Sequence, residues 1–161
     1  MKKALLFWAF IGISSLILIS CGGSDPEPEP EKTPEEKATE ALTGTGSLTW
    51  TVAGGGSVTR GGTTVTDLYQ SFELTLSSTS SKTYTSSNNN DLFDNSGNWT
   101  FAGSNFDKFS LSGAQPAAGR EISFTRTGDN LRLQFSIPVP RARLQGTHAV
   151  AGDYVFNLIL K

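Results

Sequence analysis

The chain has 161 residues, one cysteine, one histidine and a formal net charge of −2. That length holds one domain with a tail, and the lone Cys21 excludes both an internal disulfide and a cysteine-rich zinc site. Charge is unevenly spread. Residues 22–41 carry seven acids against Lys32 and Lys37, whereas from Leu42 onward eight acids face nine Lys and Arg. The nearly neutral later part lacks the positive field that nucleic-acid binding requires, so no nucleic-acid partner is expected.

The first element is a leader. Lys2 and Lys3 precede an apolar run from Ala4 to Ile19, broken by Gly12, Ser14 and Ser15. This run is short against the ~20 residues of a spanning helix. A basic start, an apolar stretch and small residues at its end have the layout of a secretory signal, with an uncleaved membrane anchor as the alternative. Its end, Leu18-Ile19-Ser20-Cys21-Gly22, resembles the lipobox of bacterial lipoproteins. The resemblance implies a signal peptide over residues 1–20 and a lipid on Cys21, which becomes the first residue of the mature chain. Several acyl chains, at ~0.8 kcal/mol per buried CH₂, anchor a protein stably without a span.

Residues 21–41 follow as a tether. Pro26, Pro28, Pro30 and Pro34 stand among acids with no aromatic residue, a composition that buries too little apolar surface to fold. Alternating Pro and Glu predict an extended, semi-rigid spacer. Gly22-Gly23-Ser24-Asp25 and the acids after it resemble the export signals of surface lipoproteins in Bacteroidota. This implies the outer membrane, on its outer or its periplasmic face.

From Leu42 the pattern alternates with period two and predicts eight strands. They are SLTWTVA, YQSFELTLS, SKTYTSS, GNWTFAG, DKFSLSG, REISFTR, LRLQFSIP and DYVFNLILK. Thr127-Gly128-Asp129-Asn130 predicts a tight hairpin and Gly103-Ser104-Asn105 another. Residues 54–56 and 88–98 read as longer loops. The expectation is an all-β domain over residues 42–161, a small antiparallel up-and-down barrel of about eight strands, with a β-sandwich as the alternative.

The order of these pieces, with Gly97-Asn98-Trp99-Thr100-Phe101 in mid-chain and AGDYVFNLILK at the end, resembles the lipocalin-like domains of Bacteroidota lipoproteins. The resemblance covers nearly all of residues 42–161 and implies a lipid-anchored single barrel. Trp50 departs from the Gly-x-Trp first-strand signature of lipocalins, having Leu48 two residues earlier.

A barrel of eight strands is either filled by its own side chains or holds one small ligand. The inward rings are Trp50, Phe72, Trp99, Phe101, Phe124, Phe135, Tyr154 and Phe156. They are candidate lining for a small apolar or amphipathic molecule and equally the core that a domain of this size needs. Arg141 and Arg143 after Pro140 are candidate anion contacts, or else solvated loop charges. His148 has no second histidine for a metal site or dyad. The oxygen-rich loop around Asp91 and Asp94 lacks the regular alternation of a dedicated calcium loop, so no metal and no cofactor are expected. Nucleophile elbow, phosphate loop and dinucleotide fingerprint are all absent, and no carboxylate pair suits a glycosidase. The chain reads as non-enzymatic: a carrier, or an interaction module docking on a partner protein or surface glycan.

Overall fold

A computed structural model gives the fold, and the structure describes residues 30–139 and 150–161. A compact unit runs from Lys32 to Lys161. It opens with helix α1 (Pro34–Thr43), followed by β1 (Ser47–Thr51), β2 (Ser57–Arg60) and β3 (Thr63–Thr64). A 3₁₀ turn (Thr66–Tyr69) leads to β4 (Glu73–Ser77), β5 (Thr83–Ser87), β6 (Ser96–Phe101) and β7 (Lys108–Leu111). The chain ends with β8 (Ile122–Thr127), β9 (Asn130–Ile137) and β10 (Gly152–Leu160). Each of the eight predicted strands is present.

All pairings are antiparallel, in the order β1-β4-β5-β6-β7-β8-β9-β10, and β10 returns to β1 through Trp50↔Leu160 and Thr51↔Ile159. The result is a closed eight-stranded up-and-down barrel. Closure removes the free edges that an open sheet of this composition exposes. Alternation is sharpest on β9, where Leu131, Leu133, Phe135 and Ile137 point inward and are buried between exposed neighbours. Thr127 pairs with Asn130 across a two-residue turn. Gly128 there has φ 59°, at the first central position where a II′ turn demands glycine.

Two short strands were not foreseen. β2 continues β1 along the same partner: Ser57↔Asn157 through Arg60↔Tyr154 carry on where Thr51↔Ile159 stops. β1 and β2 are thus one strand with a break at residues 52–56. Gly56 permits the break, since a Cβ there would lie 2.7 Å from the Asn157 carbonyl oxygen and 2.8 Å from the Val52 Cα. Beyond it, β2 and β3 make a small hairpin outside the barrel ladder.

The spacer expectation needs correction at its C-terminal end. Pro34–Thr43 is helical, and it belongs to the compact unit rather than to a tether reaching residue 41. Thr33 and Glu36 form a reciprocal capping box: the Glu36 N–H donates to Thr33 Oγ1 at 3.2 Å, and the Thr33 N–H donates to Glu36 Oε2 at 2.7 Å. Pro34 occupies the first helical position, where its missing N–H costs nothing. Gly44, at φ 59°, ends the helix and donates to the Glu40 carbonyl. Residues 21–29 of the expected spacer lie outside the described residues.

Candidate functional site

The two barrel ends are built differently. At one end lie α1, the β4–β5, β6–β7 and β8–β9 connections, and the end of β10; this is the end at which the chain enters. Leu42, fully buried, sits under the last turn of α1, and its carbonyl accepts from Trp50 Nε1 at 3.0 Å. Arg126 projects from β8 with its guanidinium 5.1 Å from the Trp50 ring. Its Nη1 donates to the carbonyls of Glu40 and Ala41 at 3.3 and 3.2 Å. A cation placed on the carbonyls at a helix C-terminus offsets the dipole there.

The other end, the mouth, carries the long connections. Here Tyr69, Phe72, Phe135, Tyr154 and Phe156 come together. Tyr69 meets Phe156 edge-on at 5.1 Å, Phe72 lies 5.2 Å from Phe156, and Phe135 stacks on Tyr154 at 5.3 Å. Into this group the β5–β6 loop inserts Phe93, its ring 5.4 Å from Phe72, 5.5 Å from Phe135 and 5.7 Å from Phe156. Leu92 beside it is fully buried, as is Ala117 of the β7–β8 loop. Such ring pairs contribute roughly 0.5–1.5 kcal/mol each beyond the area they bury.

The candidate lining residues therefore fall into three places. Phe72, Phe135, Tyr154 and Phe156 meet at the mouth. Trp50 lies at the helix end, under Arg126. Trp99 packs with Phe101 at 5.3 Å and Phe109 at 6.3 Å, and Phe124 joins Phe109 at 5.9 Å. Phe101 and Phe124 are half-buried, while the other six rings are core. Seven of the eight rings touch at least one other ring, and Trp50 instead meets the Arg126 guanidinium. The described depressions take no lining from the mouth rings: the larger, of about 810 Å³, is a groove outside the barrel between α1 and the β4–β5 connection. Residues including Glu35, Thr39, Ser78 and Lys82 line it. A second, of about 320 Å³, lies beside Gln115, Arg120, Ile137 and Val150.

Phe93 and Tyr69 were not foreseen. The available signal was the pair Leu92-Phe93, two large apolar residues inside an otherwise polar loop. Its polar groups bond inward: Ser86 Oγ donates to the Asp94 carbonyl at 2.8 Å, and Asn89 Nδ2 donates to Ser86 Oγ at 2.8 Å and Asn95 Oδ1 at 3.1 Å. The Asp94 carboxylate accepts from the backbone N–H groups of Ala114 at 3.0 Å and Gln115 at 2.9 Å. Among the described residues, no three His, Cys, Asp or Glu side chains are grouped to hold a metal ion.

Two phenols at this end titrate high. Burial, with Tyr154 close by, pushes Tyr69 up to about 12, and burial beside Asp94 pushes Tyr84 up to about 12. Both are neutral at any physiological pH. The Tyr84 hydroxyl donates to the Ser112 carbonyl at 2.7 Å, and that of Tyr154 donates to Val150 at 2.9 Å. Cys21, Arg141, Arg143 and His148 lie outside the described residues. No protein-family model, curated protein or solved structure matches the chain.

Proposed function

We propose that the chain is a lipid-anchored protein of the outer membrane whose filled barrel serves as an interaction module, without enzymatic activity. The observation that carries the interaction reading is the packing of Tyr69, Phe72, Phe93, Phe135, Tyr154 and Phe156 on one another where a carrier holds its ligand. A small-molecule site of usual size occupies ~300 Å³ or more of enclosed space, and these rings leave their shared volume to each other. Binding then falls to the outer surface: the loops of the mouth and the hydroxyl-rich groove beside α1. The lipobox resemblance at residues 18–22 supports the anchor, with the acidic stretch after it as spacer.

Mass spectrometry of the protein purified from its native membrane tests both halves. The expected result is a covalent diacylglycerol on Cys21 and no non-covalent ligand at one per chain. A stoichiometric apolar molecule released on unfolding rejects the filled-barrel reading. A Cys21→Ala chain that is still cleaved and still membrane-bound rejects the anchor.

A further inference from the structure

The mouth is closed by a piece of chain that is not part of the barrel wall. Residues 88–95 leave the ladder after β5 and rejoin it at β6, and they are braced by bonds among themselves and to Ser86 at the end of β5. The Leu92 N–H donates to the Asn89 carbonyl at 3.0 Å, the Asp91 N–H to Asn89 Oδ1 at 3.0 Å, and the Ser86 N–H to the Asn95 carbonyl at 2.8 Å. Asn88, Asn90 and Asp91 all take positive φ, at 50°, 51° and 56°, a region that Asn and Asp tolerate better than other side chains. The loop therefore keeps its shape through its own bonds and through Ser86 of β5 at its base.

Apart from those to Ser86, three of its polar ties to the rest reach main-chain groups. Asn88 Nδ2 donates to the Ser71 carbonyl at 2.8 Å, and the Ala117 N–H donates to the Leu92 carbonyl at 3.0 Å. The third tie is the Asp94 carboxylate on the N–H groups of Ala114 and Gln115. That carboxylate occupies the space over Gly113, where a Cβ would meet Asp94 Oδ2 at 1.9 Å, and Gly113 itself has φ 148°. Asp94 is thus a latch seated on a glycine.

We propose that the place of Phe93 is a binding site for a single aromatic ring, filled in this structure by the chain's own loop. Release of the Asp94 latch swings residues 88–95 out as a unit and frees a slot walled by Phe72, Phe135 and Phe156. The barrel stays folded, because none of its pairings involves the loop. The incoming ring is either a free monocyclic aromatic molecule or an aromatic side chain on a partner's loop; both offer the same edge and face to the three phenylalanines. The proposal goes beyond the filled-barrel reading by making the filled state one of two, and it does not depend on the anchor.

Hydrogen exchange on the full chain is the test. The expected result is that amides of residues 88–95 exchange through an opening with a smaller denaturant dependence than global unfolding, while β9 and β10 exchange only with global unfolding. Asp94→Ala speeds loop exchange at least tenfold, while β9 and β10 speed by no more than the same factor and still exchange far more slowly than the loop. Gly113→Ala, which crowds the latch from the other side, does the same if Asp94→Ala fails to fold. Toluene and a peptide of residues 88–95 are the two probes. Each is expected to bind Phe93→Ala with shifts at Phe135 and Phe156, and to bind Asp94→Ala more weakly. Preference for toluene assigns the slot to a free molecule, and preference for the peptide assigns it to a partner's side chain. Two results overturn the proposal: loop amides that exchange only with β9 and β10 in every variant, or a folded Phe93→Ala chain that takes up neither probe.

Discussion

The helix end and the mouth solve the same problem with different materials. Both must cover the last layer of rings inside the barrel. At the helix end the cover is regular: a capped helix whose last-turn carbonyls meet Arg126 and whose Leu42 carbonyl meets Trp50 Nε1. At the mouth it is irregular, with Phe93 and Leu92 pushed into the interior by a loop of Asn and Asp. The first cover is held by directed polar bonds over a small apolar contact. The second is held by ring burial, with the Asp94 carboxylate and a few main-chain bonds tying the loops together. Directed bonds fix a position, whereas burial confers more stability and leaves the backbone freer, and this is why the movable element is expected at the mouth.

Substitutions break this contrast in a definite order. Phe156→Ala removes the ring shared by Tyr69, Phe72, Phe93 and Phe135. Equilibrium denaturation should show a loss of about 3–5 kcal/mol, as for other buried aromatic truncations. Alkali comes next, and its tyrosine-specific effect falls on the mouth. Tyr69 and Tyr84 titrate higher in the folded chain than a free phenol does. Their contribution is complete below pH 10 and is lost as pH climbs from about 10 to about 12, amounting to about 2–3 kcal/mol per group. Absorbance at the tyrosinate band should therefore rise together with the loss of near-ultraviolet dichroism.

The helix end should respond less. Arg126→Met removes three bonds to carbonyls, of Gly128, Glu40 and Ala41, and the contact with Trp50, and about 1–2 kcal/mol should be lost by the same denaturation assay. A loss as large as that of Phe156→Ala would erase the distinction drawn between the two covers. Thr33→Ala deletes the cap of α1, for about 0.5–1 kcal/mol. Its signature is faster amide exchange in the first turn of the helix, with the mouth unaffected.

Most of the barrel was legible in the sequence because alternation is a strong local signal. Leu131, Leu133, Phe135 and Ile137 announce β9, and Thr127-Gly128-Asp129-Asn130 announces its hairpin. The helix was written just as plainly in Thr33-Pro34-Glu35-Glu36, a cap, a first-turn proline and a box-closing acid. Composition hid it, since the same Pro and Glu continue the spacer that precedes it. β2 and β3 were hidden by length: four and two residues give period two no room to show. The mouth was the least legible part. Phe72, Phe135, Tyr154 and Phe156 were placed on the inner face by alternation, but what fills the space between them comes from a loop without periodicity. Which loop reaches inward depends on the closing of the barrel, a property of all eight strands and of no single segment.

The cap on α1 also has a mechanical meaning. Any pull on the chain from its N-terminal side reaches the barrel only through the ten-residue helix. Stretching it from 1.5 Å to about 3.4 Å per residue yields about 19 Å of slack, released turn by turn from Thr33. The carbonyls held by Arg126 belong to Glu40 and Ala41, close to the inner end of that run, so the guanidinium acts as a late stop. A load is first absorbed as extension, and only afterwards does it reach Trp50 and the strand that closes the barrel.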